Sequence, residues 1–297
     1  MPEEQLRYLA AKRSVDRRAL DRRVRAHFLE GLERLSKDRT SSVRLLDLGC
    51  GIGSTVDHLL AWGLPVGRFS MHLVDHDPTL VSHCRERLGD VVTEEGFEVI
   101  DTDPLVADDG STVIDIEVSC DDAMNMLEHE QHEVITAMGF IDLLDSQGID
   151  RFASLLNGTE LAYLPITYDG GTWFAPPIDS DESLWLNERY HRHMRTRERP
   201  GTPRAGRTLL ATLDRSQRTL VGSSDWVVTP EGGCYPHDEA FFLHHIIDTV
   251  TGALEEEGSM KESHLTTWAE TRHRQVTEGE LIYVAHQLDI LRCPPVL

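Results

Sequence analysis

Residues 43–53 read VRLLDLGCGIG. The apolar run VRLLDLG has the character of a buried strand, and STVDHLLAW (54–62) that follows the glycines reads as a helix stopped at Gly63. Gly49, Gly51 and Gly53 stand at alternate positions between the two. Glycines there let the chain turn sharply and bring backbone N–H groups against a ligand with no Cβ in the way. The next strand, SMHLVDHD, reaches Asp75 twenty-two residues after Gly53. At that spacing an acidic side chain can accept hydrogen bonds from both hydroxyls of a ribose. A strand, a glycine turn, a helix and a second strand ending in an acid together describe a site for an adenosine-type cofactor.

Outward from this stretch, strand-like and helix-like segments alternate. PTLVSHCRERL reads as a helix with Pro78 in its first turn, FEVIDT and TVIDIEVSC as strands around a loop PLVADDGS, and HEVITAMGF as a strand. IDLLDSQGIDRFASLL reads as one helix and ELAYLPITY as a strand. Such alternation implies βαβ units, an α/β doubly wound fold with helices on both faces of a parallel sheet. Beyond Tyr168, DGGTWFAPPIDS (169–180) reads as a loop, DESLWLNERYHRHMR as a helix, and RTLVGSSDWVV as one strand. DEAFFLHHIIDTVTGAL reads as a helix and ELIYVAHQLDIL as the last strand. At the other end, Leu20, Val24, Phe28, Leu32 and Leu35 form one apolar stripe of an amphipathic helix expected from Ser14 to Asp38.

DLGCGIG, with an acid two residues before the first glycine, resembles motif I of the class I S-adenosylmethionine-dependent methyltransferases. A nicotinamide fingerprint, G-x-G-x-x-G/A, would instead place Ser54 at its third glycine. VDHDP resembles the family's second motif and CDDAMNM its third. The resemblance, which runs from about residue 43 to the C-terminus, implies a Rossmann-like sheet of about seven strands, mostly parallel with an antiparallel C-terminal strand. It implies S-adenosyl-L-methionine as cofactor, with Gly49, Cys50, Gly51 and Gly53 in the binding loop and Asp47 near the methionine ammonium. Asp75 would take the ribose, His76 would flank the adenine, and Asp122 would accept from the adenine amino group, with Asp121 as its substitute. Ala123 would line the ring, and Met138 would border the methyl-transfer centre. The organisation expected is a helical cap over 1–40 and a methyltransferase domain over 41–297, with an acceptor-site insertion at about 168–205 and a helical one at about 236–277.

Composition narrows the acceptor. The chain has 29 basic and 51 acidic residues and a formal charge of −22, which disfavours nucleic acid or an anionic membrane as partner. The strand HEVITAMGF leads to no NPPY-like sequence, and no Pro-Cys pair of the C5-cytosine type occurs. A small-molecule acceptor is therefore expected. Only three basic residues are lysine, and so acidic a surface suits a halophile's salt-rich cytoplasm. Five scattered cysteines without a CxxC pair read as reduced thiols in a cytosol. No signal peptide or membrane span is expected, and the oligomeric state stays open.

For the acceptor pocket, Tyr168 and Asp169 at the end of the fifth principal strand, together with His191 and His193 on the following helix, are the candidates. Trp173 and Phe174 add aromatic surface. The two histidines sit about 200° apart on a helix, so only one can face a pocket; either is a general-base candidate or a packing residue. His237, His244 and His245 suggest no shared ion, and no metal site is expected. Two alternatives stay open: a nicotinamide-dependent oxidoreductase, and a cofactor-binding regulatory subunit without catalysis.

Overall fold

The computed structural model describes residues 2–39, 41–198 and 200–294. Two helices, α1 (Pro2–Ala19) and α2 (Arg22–Lys37), precede the first strand. The single helix expected from Ser14 is thus broken: Asp21 is the N-cap of α2, its carboxylate accepting from the Val24 N–H, and Ser14 lies inside α1. An interior Asp that can cap is a local competitor to helix continuation.

The motif half follows as β1 (Val43–Leu48), α3 (Ser54–Trp62), β2 (Gly67–Asp75), α4 (Pro78–Glu94), β3 (Glu98–Thr102), β4 (Leu105–Asp108), β5 (Thr112–Cys120), α5 (Ala123–His129) and β6 (Val134–Thr136). The expected PLVADDGS loop contains β4, which forms an antiparallel hairpin with β3. After β6 a short 3₁₀ turn (Ile141–Leu143) precedes α6 (Ser146–Leu155). The helix expected over 141–156 is split because Asp145 caps α6 through the Gly148 N–H.

The remaining elements are β7 (Leu161–Ala175), α7 (Glu182–Thr196), α8 (Ala205–Thr212), β8 (Arg218–Ser223), β9 (Trp226–Val228), α9 (Glu239–Glu257), α10 (Glu262–Thr277) and β10 (Ile282–Cys293). One ten-stranded sheet runs β3-β4-β5-β2-β1-β6-β7-β10-β8, with β9 also on β10. Strands β5, β2, β1, β6 and β7 are parallel, while β10 is antiparallel to both β7 and β8. This is a doubly wound Rossmann-like sheet with seven principal strands, an antiparallel last strand, a hairpin at one edge and β9 beside β10.

β7 departs most from expectation. Only Leu161–Tyr163 pair with β6, and the strand then continues past the sheet's carboxyl edge as a ribbon with β10, Thr172–Ala175 opposite Ile282–Ala285. Residues 172–175 are therefore strand, because β10, more than a hundred residues away, pairs with them, and 169–171 bulge between these pairs and Tyr168 opposite Gln287. Likewise RTLVGSSDWVV is two strands, both on β10, bent at Ser224 and Asp225.

Three apolar clusters follow from this layout. One packs α2, α3 and α4 on one sheet face, and one packs α5, α6 and α8 on the other. The third joins α1, α7, α9 and α10 to the ribbon beyond the carboxyl edge. No helix among the described residues is long and apolar enough to cross a membrane.

Candidate active site

The glycine turn sits at the carboxyl end of β1, where ligands bind in open α/β sheets. Gly49, Gly51 and Gly53 all have positive φ, +67°, +55° and +81°. A Cβ at Gly49 would come 2.8 Å from the Phe140 ring, and one at Gly53 would come 2.9 Å from Cys84 Sγ. At Gly51 the nearest atom is Leu9 Cδ1 of α1, at 3.7 Å. The first and third glycines are thus required by backbone and packing, and the middle one faces open space roofed by the N-terminal helix. Cys50 is buried, its N–H donating with that of Gly49 to the Val74 carbonyl. Helix α3 begins at Gly53 with no side-chain cap, so its first N–H groups are free of a carboxylate or hydroxyl from the cap residue.

Two buried carboxylates flank this turn. Asp75 accepts from the Gly51 N–H at 2.9 Å and the Asp77 N–H at 3.0 Å, which orients it at the end of β2 and leaves a further lone pair on each oxygen. Asp47 Oδ1 accepts from Thr136 Oγ1 (2.6 Å) and Thr55 Oγ1 (3.1 Å), while its Oδ2 is buried with no partner. Burial pushes the Asp47 carboxyl up to about 7, against the pull of the two threonine hydroxyls.

Asp121 and Asp122 follow β5 directly, and the Asp121 N–H donates to the Asp75 carbonyl. Asp122 caps α5, accepting from the Asn125 N–H, and Ala123 opens that helix. His76 is largely exposed beside Asp75, Nδ1 to Oδ1 3.4 Å. Met138 lies just past β6 and packs against the cluster under α1 and α9. The residues expected to hold the cofactor are therefore gathered along one edge.

The acceptor candidates are not gathered. Tyr168 and His191 do meet, hydroxyl to Nε2 2.9 Å, with Thr172 Oγ1 at 3.0 Å from the same hydroxyl. Burial lowers the His191 imidazole to about 4 and raises the Tyr168 phenol, so both are neutral at pH 7. Asp169 points to the opposite face of β7, as strand alternation requires. Its carboxylate accepts from the backbone N–H and the guanidinium of Arg207. His193 pairs with Glu256 on α9 at 2.7 Å. Trp173 is half-exposed, whereas Phe174 is core, packed on Trp268 and Tyr283.

Around Tyr168 and His191 stands a group that residue spacing did not suggest: Tyr8 and Lys12 of α1, Asp142 of the 3₁₀ turn, Tyr190 of α7 and Tyr283 of β10. Tyr8, Asp142 and Tyr190 are partly buried. Burial raises the Asp142 carboxyl to about 6, opposed by N–H groups of Asp142 and Tyr168 and by Arg197 and Lys12. Gly139, beside Met138, links the two sites: a Cβ there would lie 3.9 Å from Lys12 Nζ and 4.0 Å from the Ile166 carbonyl. Asp142 escaped notice because AMGFIDLL reads as strand running into helix, with no motif to single it out.

No family model and no curated protein matches this chain. Among solved structures it is similar to a cyclopropane synthase, MmaA2 of Mycobacterium tuberculosis, with 14% identity, 89% of this chain and 81% of that one covered, and a TM-score of 0.44. A methyltransferase of Thiobacillus denitrificans, in complex with S-adenosylhomocysteine, gives 13%, 92% of each chain and 0.44. The magnesium protoporphyrin IX methyltransferase of Synechocystis PCC 6803 gives 10%, 67% and 76%, and 0.39. The functional reading therefore rests on the strand order and on the side chains around the glycine turn.

Proposed function

We propose that the chain transfers a methyl group from S-adenosylmethionine to a small-molecule acceptor. The observation that carries this reading is the buried, unpartnered Asp47 Oδ2 beside a second buried carboxylate, Asp75. A dinucleotide would bring its anionic pyrophosphate to this turn, against two carboxylates. A cofactor with an ammonium group there, a carboxylate for the uncapped start of α3 and ribose hydroxyls for Asp75 fits all three features. When bound, S-adenosylmethionine supplies an already activated sulfonium methyl, so the protein's task is alignment and exclusion of water. The Tyr8, Tyr168, Tyr190 and Tyr283 rings wall the acceptor off from solvent, under α1. His191, neutral above about pH 4, holds the Tyr168 hydroxyl. Asp142 Oδ is the group placed to take a proton near neutrality or to face a cationic acceptor.

The test is release of S-adenosylhomocysteine by the purified chain, in concentrated salt, from fractionated extract of its source cell. One active fraction is expected, with activity lost in Asp142→Asn while cofactor binding persists. Tight cofactor binding with no turnover on any fraction would favour the non-catalytic reading.

A further inference from the structure

On the sheet face opposite α2–α4, away from the glycine turn, three potential ligands converge. His72 lies mid-strand in β2, Glu130 is the C-cap residue of α5, and His132 follows two residues later. Among the described residues these three place one ligand-capable atom each, all within 4.8 Å of one another. His72 Nδ1 is 3.3 Å and His132 Nε2 is 3.5 Å from the same oxygen, Glu130 Oε2. Ligands at about 2.0–2.2 Å from a tetrahedral ion stand about 3.2–3.6 Å apart, so both spacings suit a shared ion.

The surroundings add two observations. His72 Nε2 is 2.7 Å from Ser119 Oγ on the neighbouring strand. If that nitrogen donates to the serine, Nδ1 turns a bare lone pair toward the Glu130 carboxylate, the arrangement of a metal-bound histidine held by a hydrogen bond through its other nitrogen. His132 has a side chain more than nine-tenths buried, yet its Nδ1 has no hydrogen-bond partner and its Nε2 reaches only the 3.5 Å contact with Glu130. Hydrogen bonding thus leaves this imidazole unexplained. Glu130, 41% exposed, opens the site to solvent and to a water as fourth ligand.

We infer that His72 Nδ1, Glu130 Oε2 and His132 Nε2 form a binding site for a borderline divalent ion of the zinc class. Two imidazoles and one carboxylate suit zinc or cobalt, whereas magnesium and calcium demand six or more oxygens. The ion would pin the end of α5, whose other end carries Asp122 and Ala123, onto β2, whose last residue is Asp75. Its role is a staple behind the nucleotide edge, independent of whether methyl transfer occurs.

The test uses the full chain, freed of metal with a chelator and titrated with cobalt(II) in concentrated salt to suppress loose surface binding. One equivalent is expected to bind, with the visible absorption of a four-coordinate nitrogen–oxygen site and a raised melting temperature. Glu130→Gln combined with His132→Ala is expected to lose both responses, its metal-free circular dichroism staying that of the parent. A His244→Ala variant, which disrupts the separate His244–His273 contact, is expected to keep them. No saturable binding, an unchanged titration in the double variant, or loss of the site in His244→Ala would each overturn the assignment. Should the double variant misfold, His72→Asn alone is read in the same way.

Discussion

The half of this molecule proposed to hold the nucleotide and the half proposed to take the acceptor are built on opposite plans. From Asp47 to Ala123 the cofactor candidates sit at the carboxyl ends of parallel strands or just after them, and the carboxylates' partners are near in sequence or on the adjacent strand: Asp47 with Thr55, Asp75 with Gly51 and Asp77. The acceptor half is assembled from the two ends and the middle of the chain. Arg18 and Ser14 hold buried Glu239 from 221 and 225 positions away, and buried Glu182 holds Arg272 and Trp268. The first plan leaves a motif in the sequence. The second leaves only isolated charged and aromatic residues.

The largest expected effect tests how much the acceptor half depends on those long-range pairs. Glu182→Ala leaves Arg272 buried without its carboxylate, and breaking a buried pair in this way costs about 3–5 kcal/mol. Denaturant unfolding is the measurement; a loss under about 1 kcal/mol, an ordinary surface value, would mean that apolar packing alone holds α7 on α10. In the nucleotide half, Asp75→Ala should weaken S-adenosylhomocysteine by about 1–3 kcal/mol through its charge-assisted bonds, measured by calorimetry. Unchanged affinity would remove the ribose from the end of β2.

A third effect separates the two halves by pH. The unfolded Asp47 titrates near 3.8 and the folded one near 7, so the fold holds a proton between those values that the unfolded chain has released. This group's contribution to stability therefore falls as pH rises from about 4 to about 7, by at most about 1.4 kcal/mol per unit, and is flat above. Asp47→Asn, permanently neutral, should gain on the wild type across that window in urea midpoints. Parallel pH profiles would mean that Asp47 Oδ2 has a partner or that water reaches it. The smallest effect is Tyr168→Phe, which removes one hydrogen bond to His191 and should cost about 1 kcal/mol in kcat/KM. Cofactor affinity should not move; if it does, the two sites are not separate.

These contrasts follow what was legible in the chain. The succession of strands and helices, the glycine turn, and the places of Asp75 at the end of β2 and Asp122 just after β5 could be read because local pattern fixes them. The strand nature of residues 172–175 could not, since it depends on pairing with Ile282–Ala285. Asp169 looked like a pocket residue until the alternation of β7 turned it to Arg207. His193 belongs to Glu256 for the same kind of reason, being on the other side of α7 from His191. Tyr8, Asp142 and Tyr283 come from three distant segments, and no spacing rule connects them. His72 is likewise 58 residues from Glu130, so no short motif joins the three ligands in the sequence.

The central claim is that the Gly49–Gly53 turn holds S-adenosylmethionine between Asp47 and Asp75. Titration calorimetry of the purified chain, in concentrated salt, with S-adenosylhomocysteine and with NAD in parallel, addresses it directly. The account predicts saturable one-to-one binding of S-adenosylhomocysteine, abolished in Gly51→Val, where a branched side chain at positive φ would fill the space under Leu9, and no heat from NAD. Binding of NAD without S-adenosylhomocysteine, or full S-adenosylhomocysteine affinity in Gly51→Val, would contradict it.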